Sequence, residues 1–156
     1  MYTMENVYEK MKELGIQLPT PGPAGGIYTP VMEFGTNLLY FSGCGPQGET
    51  TFEGKLGTDL TLEEGQQAAR NCMLNLLANL EAKTGDLNKV KRFVKVLAFV
   101  ASDNSFTQQP QVVNGGSQLL VDLFGESAGK PARSAIGVNV LPGNIPVEIE
   151  MLVELK

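Results

Sequence analysis

An arginine opens a short apolar stretch near the end of the chain, in Pro131-Ala132-Arg133-Ser134-Ala135-Ile136-Gly137-Val138. Burying a guanidinium without an anionic partner is costly, so Arg133 needs a counter-charge. The planar guanidinium binds a carboxylate through two parallel hydrogen bonds. Two interpretations stay open: Arg133 holds the carboxylate of a ligand, or it pairs with a nearby glutamate of the chain.

A second candidate lies 15 residues further on, in Val147-Glu148-Ile149-Glu150-Met151. The strict alternation predicts a strand with Glu148 and Glu150 on one face and the apolar residues on the other. A carboxylate on a core strand can order a water molecule or move a proton. The alternative is a solvated strand face, where charged residues are usually found.

The composition excludes several kinds of chemistry. None of the 156 residues is a histidine. This excludes Ser–His and Cys–His nucleophile pairs, histidine metal sites and ribonucleases that use paired histidines. Proton transfer near neutral pH must then use a carboxylate, a tyrosine, a lysine or water. The net charge of −5 makes the chain a poor binder of nucleic acid, whose phosphates require a positive surface.

The remaining composition indicates one soluble domain. We expect a cytoplasmic protein with free thiols, because Cys44 and Cys72 form no disulfide framework and no signal peptide is recognisable. No apolar run approaches the ~20 residues that cross a bilayer, so we expect no membrane partner. Charged residues make up only 19%, which favours a surface partly buried in an oligomer.

The elements that must position these residues follow from local patterns. Met4, Val7, Met11 and Leu14 lie on one face of a predicted N-terminal helix. Three prolines and three glycines between positions 19 and 26 then predict an extended arm. Further along we expect a hairpin of Ile27–Glu33 with Leu38–Ser42, then a strand or loop at Phe52–Leu56, and a capped helix from Thr61 to about Lys83. A strand at Val90–Val100, a helix from about Gln109 to Phe124, and two strands at Ala132–Val140 and Val147–Leu155 follow.

Two local details sharpen this prediction. Gly125 is expected to end the second long helix. In the long strand, Val94 is expected to share the apolar side with Val96 and Val100. A sheet with two long helices on one face is an α+β fold. Its other face needs a cover, which an oligomer would supply.

Together these pieces resemble the RidA (YjgF) family of enamine/imine deaminases, also labelled endoribonuclease L-PSP. The resemblance is carried by Tyr28 before the hairpin, Ser42-Gly43 with Pro46 after it, Asn114, the Arg133 segment and the Glu148 segment. It covers residues 25–156 as one domain and leaves residues 1–24 as an extra helix and arm, as in a longer branch of the family. It implies a mixed sheet like that of Bacillus chorismate mutase, and a homotrimer with clefts between subunits.

The resemblance also implies roles. Arg133 matches the arginine that holds the substrate carboxylate, and Glu148 the glutamate that positions the attacking water. Tyr28, Ser42, Gly43 and Asn114 match residues around the substrate, as does Ala135, which would act through its backbone. Tyr28 could otherwise be a core residue, Ser42 a turn residue, and Asn114-Gly115-Gly116 a close helix contact.

Three positions depart from the family pattern: Cys44 in the hairpin motif, Ala135 where many members have cysteine, and Gly137 where a side chain is common. The resemblance implies a hydrolase that needs no cofactor and no metal, and converts reactive 2-imino and 2-enamino acids to 2-oxo acids and ammonia. The alternatives are a non-catalytic trimer that binds a small carboxylate metabolite, and an endoribonuclease. The missing histidines and net acidity argue against the endoribonuclease.

Overall fold

The computed structural model describes residues 6–156, which form an α+β fold with one five-stranded sheet. The predicted fold class is confirmed. The helices and strands are α1 Val7–Glu13, β1 Val31–Phe34, β2 Leu38–Phe41, α2 Leu62–Thr84, β3 Val90–Ala101, α3 Gln109–Gly129, β4 Ala132–Val138 and β5 Val147–Leu155. Two 3₁₀ turns, Leu87–Lys89 and Pro142–Asn144, complete the order.

The sheet is mixed, with neighbouring strands in the order β1-β2-β5-β3-β4. β3 pairs with β5 antiparallel and with β4 parallel, because α3 carries the chain back across the sheet before β4 begins. The two long helices α2 and α3 cover one face. The core lies between them and the sheet, and includes Val96, Ala98, Ile149 and Met151.

Local signals explain the ends of the helices. Thr61 and Glu64 form the predicted capping box, since the Glu64 N–H donates to Thr61 Oγ1 at 3.2 Å and the Thr61 N–H donates to Glu64 Oε2 at 2.8 Å. Gly85 ends α2 in the left-handed conformation. Gly125 also has positive φ and breaks the helical path of α3, but helical turns continue beyond it to Gly129. The long helix therefore ends at Phe124 with Gly125 as its stop, as predicted, and a separate short helical segment follows to Gly129.

The N-terminal segment packs onto the domain. The predicted helix includes Met4, which lies outside the described residues. The helix is present over Val7–Glu13, but Leu14 is its exposed C-cap and does not share the buried face. Val7 and Met11 are buried, and the Val7 N–H donates to Asn88 Oδ1 at 3.0 Å. Residues 17–26 contain neither helix nor strand, as the prolines and glycines predict. The proposed division at residue 24 stays a prediction.

The strand boundaries and faces differ from expectation in several places. The first strand begins at Val31 instead of Ile27, because Pro30 has no N–H to donate and residues 25–28 form bends. β2 and β3 each differ by one residue at their ends, and β4 ends at Val138, two residues early. Residues 52–56 form a loop, one of the two structures expected there, and Leu56 makes isolated bridges to Leu60 and Ser102. Val94 is 36% exposed and does not face the core, because the β3–β5 register shifts beside it.

The sheet face opposite the helices is open in the single chain, and it carries several exposed apolar side chains beside the glutamates of β5. Met32, Phe34, Tyr40 and Ile136 have exposed fractions of 57%, 42%, 45% and 44%. Their positions in the strand pairing place them on one face, together with Leu97 and Phe99 of β3. Within residues 6–156, no helix has the length and apolar character to cross a membrane.

Candidate functional site

The predicted site residues line two separate cavities. One, called here the glutamate cleft, has a volume of about 710 Å³ and is lined by Tyr28, Ser42, Gly43 and Glu148 among others. The other, called the arginine pocket, has a volume of about 390 Å³ and is lined by Asn114 and Arg133 among others. Ala135 lines neither of the two.

Gly43 and Glu148 fit together closely in the glutamate cleft. A methyl group at Gly43 would lie 2.8 Å from Cδ of Glu148, closer than carbon atoms can approach. The contact is fixed by the backbone, because Cys44 and Ile149 exchange two hydrogen bonds of 2.9 and 3.0 Å. Gly43 therefore leaves space for the Glu148 carboxylate, and any larger residue would displace it.

Ser42 and Tyr28 complete this side of the cleft. The Ser42 hydroxyl donates to the Thr29 carbonyl at 2.7 Å, and the Tyr28 hydroxyl accepts from the Gly25 N–H at 3.1 Å. Tyr28 is 51% exposed, so it is not a core residue. Backbone groups of the segment before β1 therefore hold both side chains in place.

Glu148 has the electrostatic environment of a group that exchanges protons. Partial burial raises the pKa of Glu148 above its ordinary value, and repulsion from Glu150 raises it further. Glu150 lies on the same strand face and accepts a hydrogen bond of 2.8 Å from the Tyr40 hydroxyl. A carboxylate with a raised pKa can accept a proton from water and return it to a leaving group.

The arginine pocket holds Arg133 in a fixed orientation. Its Nη1 donates to Asn114 Oδ1 at 2.8 Å and to Ser117 Oγ at 3.0 Å, and its Nη2 donates to the Pro110 carbonyl at 3.4 Å. All three acceptors belong to α3. These contacts leave the Nε–H and one Nη2–H without an acceptor among residues 6–156, and they form the edge that binds a carboxylate side-on.

The intrachain ion pair that the sequence left open is not formed, since no carboxylate of residues 6–156 lies within ion-pair distance of Arg133. The guanidinium is therefore positioned by neutral acceptors, and its charge is left for an external anion. Burial lowers the pKa of Arg133, but a guanidinium stays protonated at physiological pH.

Gly115 and Gly116 serve the helix contact that was the alternative explanation of this segment. A methyl group at Gly116 would lie 2.8 Å from the Ala69 carbonyl of α2. The two glycines thus let the helix backbones approach, while Asn114 beside them turns to Arg133. The two glycines therefore form the helix contact, Asn114 contacts Arg133, and the role of Asn114 beside a substrate stays a prediction.

Arg133 and Glu148 lie on opposite faces of the sheet. Arg133 pairs with Val96 on the helix-covered side, and Glu148 pairs with Phe99 on the open side. Two strand spacings and three residues of offset put their Cα atoms about 14 Å apart. One subunit therefore does not bring the two predicted catalytic residues together.

Ser117, the second acceptor for Arg133, was not among the predicted site residues. Its spacing of three from Asn114 places both on one helix face, and this signal could have found it. At the departures, Ala135 contributes a small side chain that packs against the core. Gly137 admits Gln109, whose Nε2 lies 2.9 Å from where a methyl group would be.

Cys44 does not have the environment of a nucleophile. Burial raises the pKa of its thiol to about 11, although Asn79 donates a hydrogen bond of 3.4 Å to the sulfur. Cys44 and Cys72 are both free thiols. In the part of the chain that the structure describes, no cluster of three or more acidic or cysteine side chains could hold a metal ion.

Comparison with known proteins identifies the family of this chain. Residues 9–155 match the family described as "YjgF/chorismate mutase-like, putative endoribonuclease". The chain is 42% identical to Protein TCP17 of Trypanosoma cruzi over 152 residues, which are 96% of this chain and 94% of that protein. It is 31% identical to a RutC family protein of Pyrococcus horikoshii, over 91% and 97% of the two chains.

The fold is shared with solved structures. The crystal structure of the protein Atu1372 from Agrobacterium tumefaciens, which has unknown function, superposes with a TM-score of 0.87 at 38% identity, over 96% of this chain and 92% of that one. The similarity includes the N-terminal segment, because the matched share extends well beyond residues 25–156.

Proposed function

Because this chain belongs to the YjgF/chorismate mutase-like family, we propose that it is a cofactor-free hydrolase of reactive 2-imino and 2-enamino acids. The products are 2-oxo acids and ammonia. The observation that carries the proposal is the arrangement of Arg133: three neutral acceptors fix it, and one side-on edge is left for an anion.

The carboxylate of the substrate binds to that edge of Arg133. Two charge-assisted hydrogen bonds from Nε and Nη2 align the carboxylate in a defined plane. The imine carbon, one bond away, is then held at a fixed distance from the protein groups around it. Holding the imine and the water in place converts a bimolecular reaction into a unimolecular one. Because the imine carbon is already electrophilic, this positioning removes a large share of the activation free energy.

Glu148 activates the water. Its carboxylate takes a proton from the water as the oxygen adds to the carbon of the protonated imine, whose nitrogen becomes the NH2 group of a carbinolamine. The protonated Glu148 then gives this proton to the nitrogen, which turns it into an ammonium leaving group. As the C–N bond breaks and ammonia leaves, the Glu148 carboxylate takes the hydroxyl proton, the carbonyl of the 2-oxo acid forms, and the proton passes to solvent. The raised pKa of Glu148 suits both proton transfers.

The site needs a second subunit, since Arg133 and Glu148 lie on opposite faces of one sheet. In the proposed homotrimer, the arginine pocket of one subunit faces the glutamate cleft of the next. The open sheet face supports this assembly, because Met32, Phe34 and Tyr40 would be buried against the neighbouring sheets.

The test is ammonia release from 2-iminopropanoate generated in situ, with the uncatalysed rate subtracted. We expect acceleration by the wild type, and a particle of three times 16.8 kDa in light scattering. A stable monomer at micromolar concentration would remove the shared site. A trimer that binds pyruvate but accelerates no short imino acid would instead be the non-catalytic carboxylate-binding protein.

A further inference from the structure

A small chamber lies under the N-terminal arm, beside the glutamate cleft. Its volume is about 110 Å³, and Tyr28, Ser42 and Gly43 line both cavities. The arm forms one wall through residues 21–25, and Asn75 and Asn79 of α2 form another. We call it the arm chamber. The proposed mechanism makes no use of it.

The arm is held in place at both ends. Before it, α1 is anchored by the buried Val7 and by the Leu87 N–H, which donates to the Tyr8 hydroxyl at 3.0 Å. After it, the Gly25 N–H donates to the Tyr28 hydroxyl at 3.1 Å. Three prolines in the intervening segment restrict its backbone. The chamber therefore has a fixed wall, which a flexible linker would not provide.

The two asparagines use their N–H groups on the wall itself. Asn75 Nδ2 donates to the Gly45 and Gln47 carbonyls at 3.1 and 2.9 Å, and Asn79 Nδ2 donates to Cys44 Sγ at 3.4 Å. No donor in residues 6–156 reaches the carbonyl oxygen of either amide. The chamber is thus lined by two amides with acceptor capacity left over.

The lining of the arm chamber contains no charged residue. A charged ligand group would lose its hydration there without a counter-charge, which is unfavourable. An apolar group would leave the amide oxygens without donors. The chamber therefore suits an uncharged group that donates a hydrogen bond. A liquid water occupies about 30 Å³, so the space holds roughly three to four non-hydrogen atoms.

We propose that the arm chamber is a side-chain subsite, selective for 2-imino acids whose short side chain ends in a hydroxyl or a carboxamide. The assignment of the parent reaction rests on the proposed function, but the selectivity is a property of binding. It predicts that such ligands are preferred over isosteres that end in a methyl group or a carboxylate.

Calorimetric titration of the trimer with stable 2-oxo acids tests the proposal. The probes are 4-hydroxy-2-oxobutanoate, its isostere 2-oxopentanoate, the charged 2-oxoglutarate, and pyruvate, which is too short to fill the chamber. We expect the hydroxy acid to bind about tenfold more tightly than 2-oxopentanoate, because the methyl group of the isostere would cover the amide oxygens without donating a hydrogen bond to them. Equal affinities, or no binding of any of the four, would overturn the proposal.

Asn79→Leu should abolish the preference and leave the affinity for pyruvate unchanged, which also shows that the variant is folded. Asn71→Leu is the matched control: the same substitution on α2, at a residue that lines none of the three cavities described above. It should keep the tenfold preference. A preference that survives in Asn79→Leu would refute the assignment.

Turnover of 2-iminopropanoate, measured on the same preparation, separates the two proposals. Turnover without a hydroxyl preference rejects the subsite and keeps the hydrolase. A preference that disappears in Asn79→Leu, without any turnover, keeps the subsite and rejects the hydrolase.

Discussion

Replacement of Arg133 by alanine tests the central assignment most directly. The Nε–H and one of the two Nη2–H groups of Arg133 have no acceptor among residues 6–156, so the substrate carboxylate would receive two charge-assisted hydrogen bonds from them. Loss of a bidentate charged contact costs about 2–4 kcal/mol, or roughly 30- to 1000-fold in kcat/KM. Arg133→Lys keeps the charge without the fork, and we expect about a tenfold loss.

A second arginine, Arg70, provides the control for the Arg133 variants. Arg133→Ala removes the hydrogen bonds to Asn114 and Ser117 of α3, so the Tm should fall slightly. Arg70→Ala removes a partly exposed arginine of α2 that lines neither the glutamate cleft nor the arginine pocket, and it should keep wild-type activity. The assay is ammonia release from 2-iminopropanoate at concentrations below KM. Wild-type kcat/KM in a trimeric, folded Arg133→Ala variant would refute the role of Arg133.

The remaining predictions concern the glutamate cleft and nucleic acid. Glu148→Gln keeps the shape and one acceptor, so kcat/KM should fall about 10- to 100-fold, less than for Arg133→Ala; an equal or larger loss would contradict this ranking. The pKa of Glu148 is raised by burial and by Glu150, so wild-type kcat/KM should fall as pH decreases through that raised pKa, and a flat profile would exclude Glu148 as the base. The same shift affects stability, because the folded state binds the Glu148 proton more tightly than the unfolded state does. This contribution is fully present below the pKa of Glu148 in the unfolded chain, and it is lost as pH rises through the raised pKa of the folded chain. Scanning calorimetry should therefore show that the Tm advantage of Glu148→Gln over the wild type grows between these two pKa values. Gly43→Ala should reduce kcat/KM about tenfold with little change in KM, because the methyl group displaces the Glu148 carboxylate, and unchanged kcat would refute the steric argument. Gel-shift titration should show no specific RNA binding, given the net charge of −5; RNA cleavage that disappears in Arg133→Ala would overturn this expectation.

Much of the fold is determined by local sequence signals. The capping box at Thr61, the stop at Gly85 and the alternation from Val147 predict α2 and β5 almost to the residue, because these signals act within one turn or one pleat. The local signals fail where distant contacts decide. The register shift in β3 that exposes Val94 depends on its pairing with β5. The late start of β1 has a local cause instead, because Pro30 lies inside the predicted strand and has no N–H to donate.

The candidate site divides in the same way. The sequence identified Arg133 as a residue that needs a partner, because a guanidinium on an apolar strand requires an acceptor or an anion wherever the strand lies. For Glu148 the alternation allowed a solvated strand face, and its proposed role came from the family resemblance. The sequence did not predict that the two face opposite sides of the sheet. Side chains alternate along each strand, but which alternate set faces the helices depends on how β4 and β5 pair with β3.

Two contacts exist only in the folded chain. Gly43 and Glu148 are far apart in sequence, and the bridge between Cys44 and Ile149 brings them together. The acceptors that orient Arg133 come from α3, through Asn114 and Ser117. Sequence alone determines which groups need partners, since that need follows from charge and polarity. Tertiary structure determines which partners they find, because packing and strand register set distances that no local pattern contains.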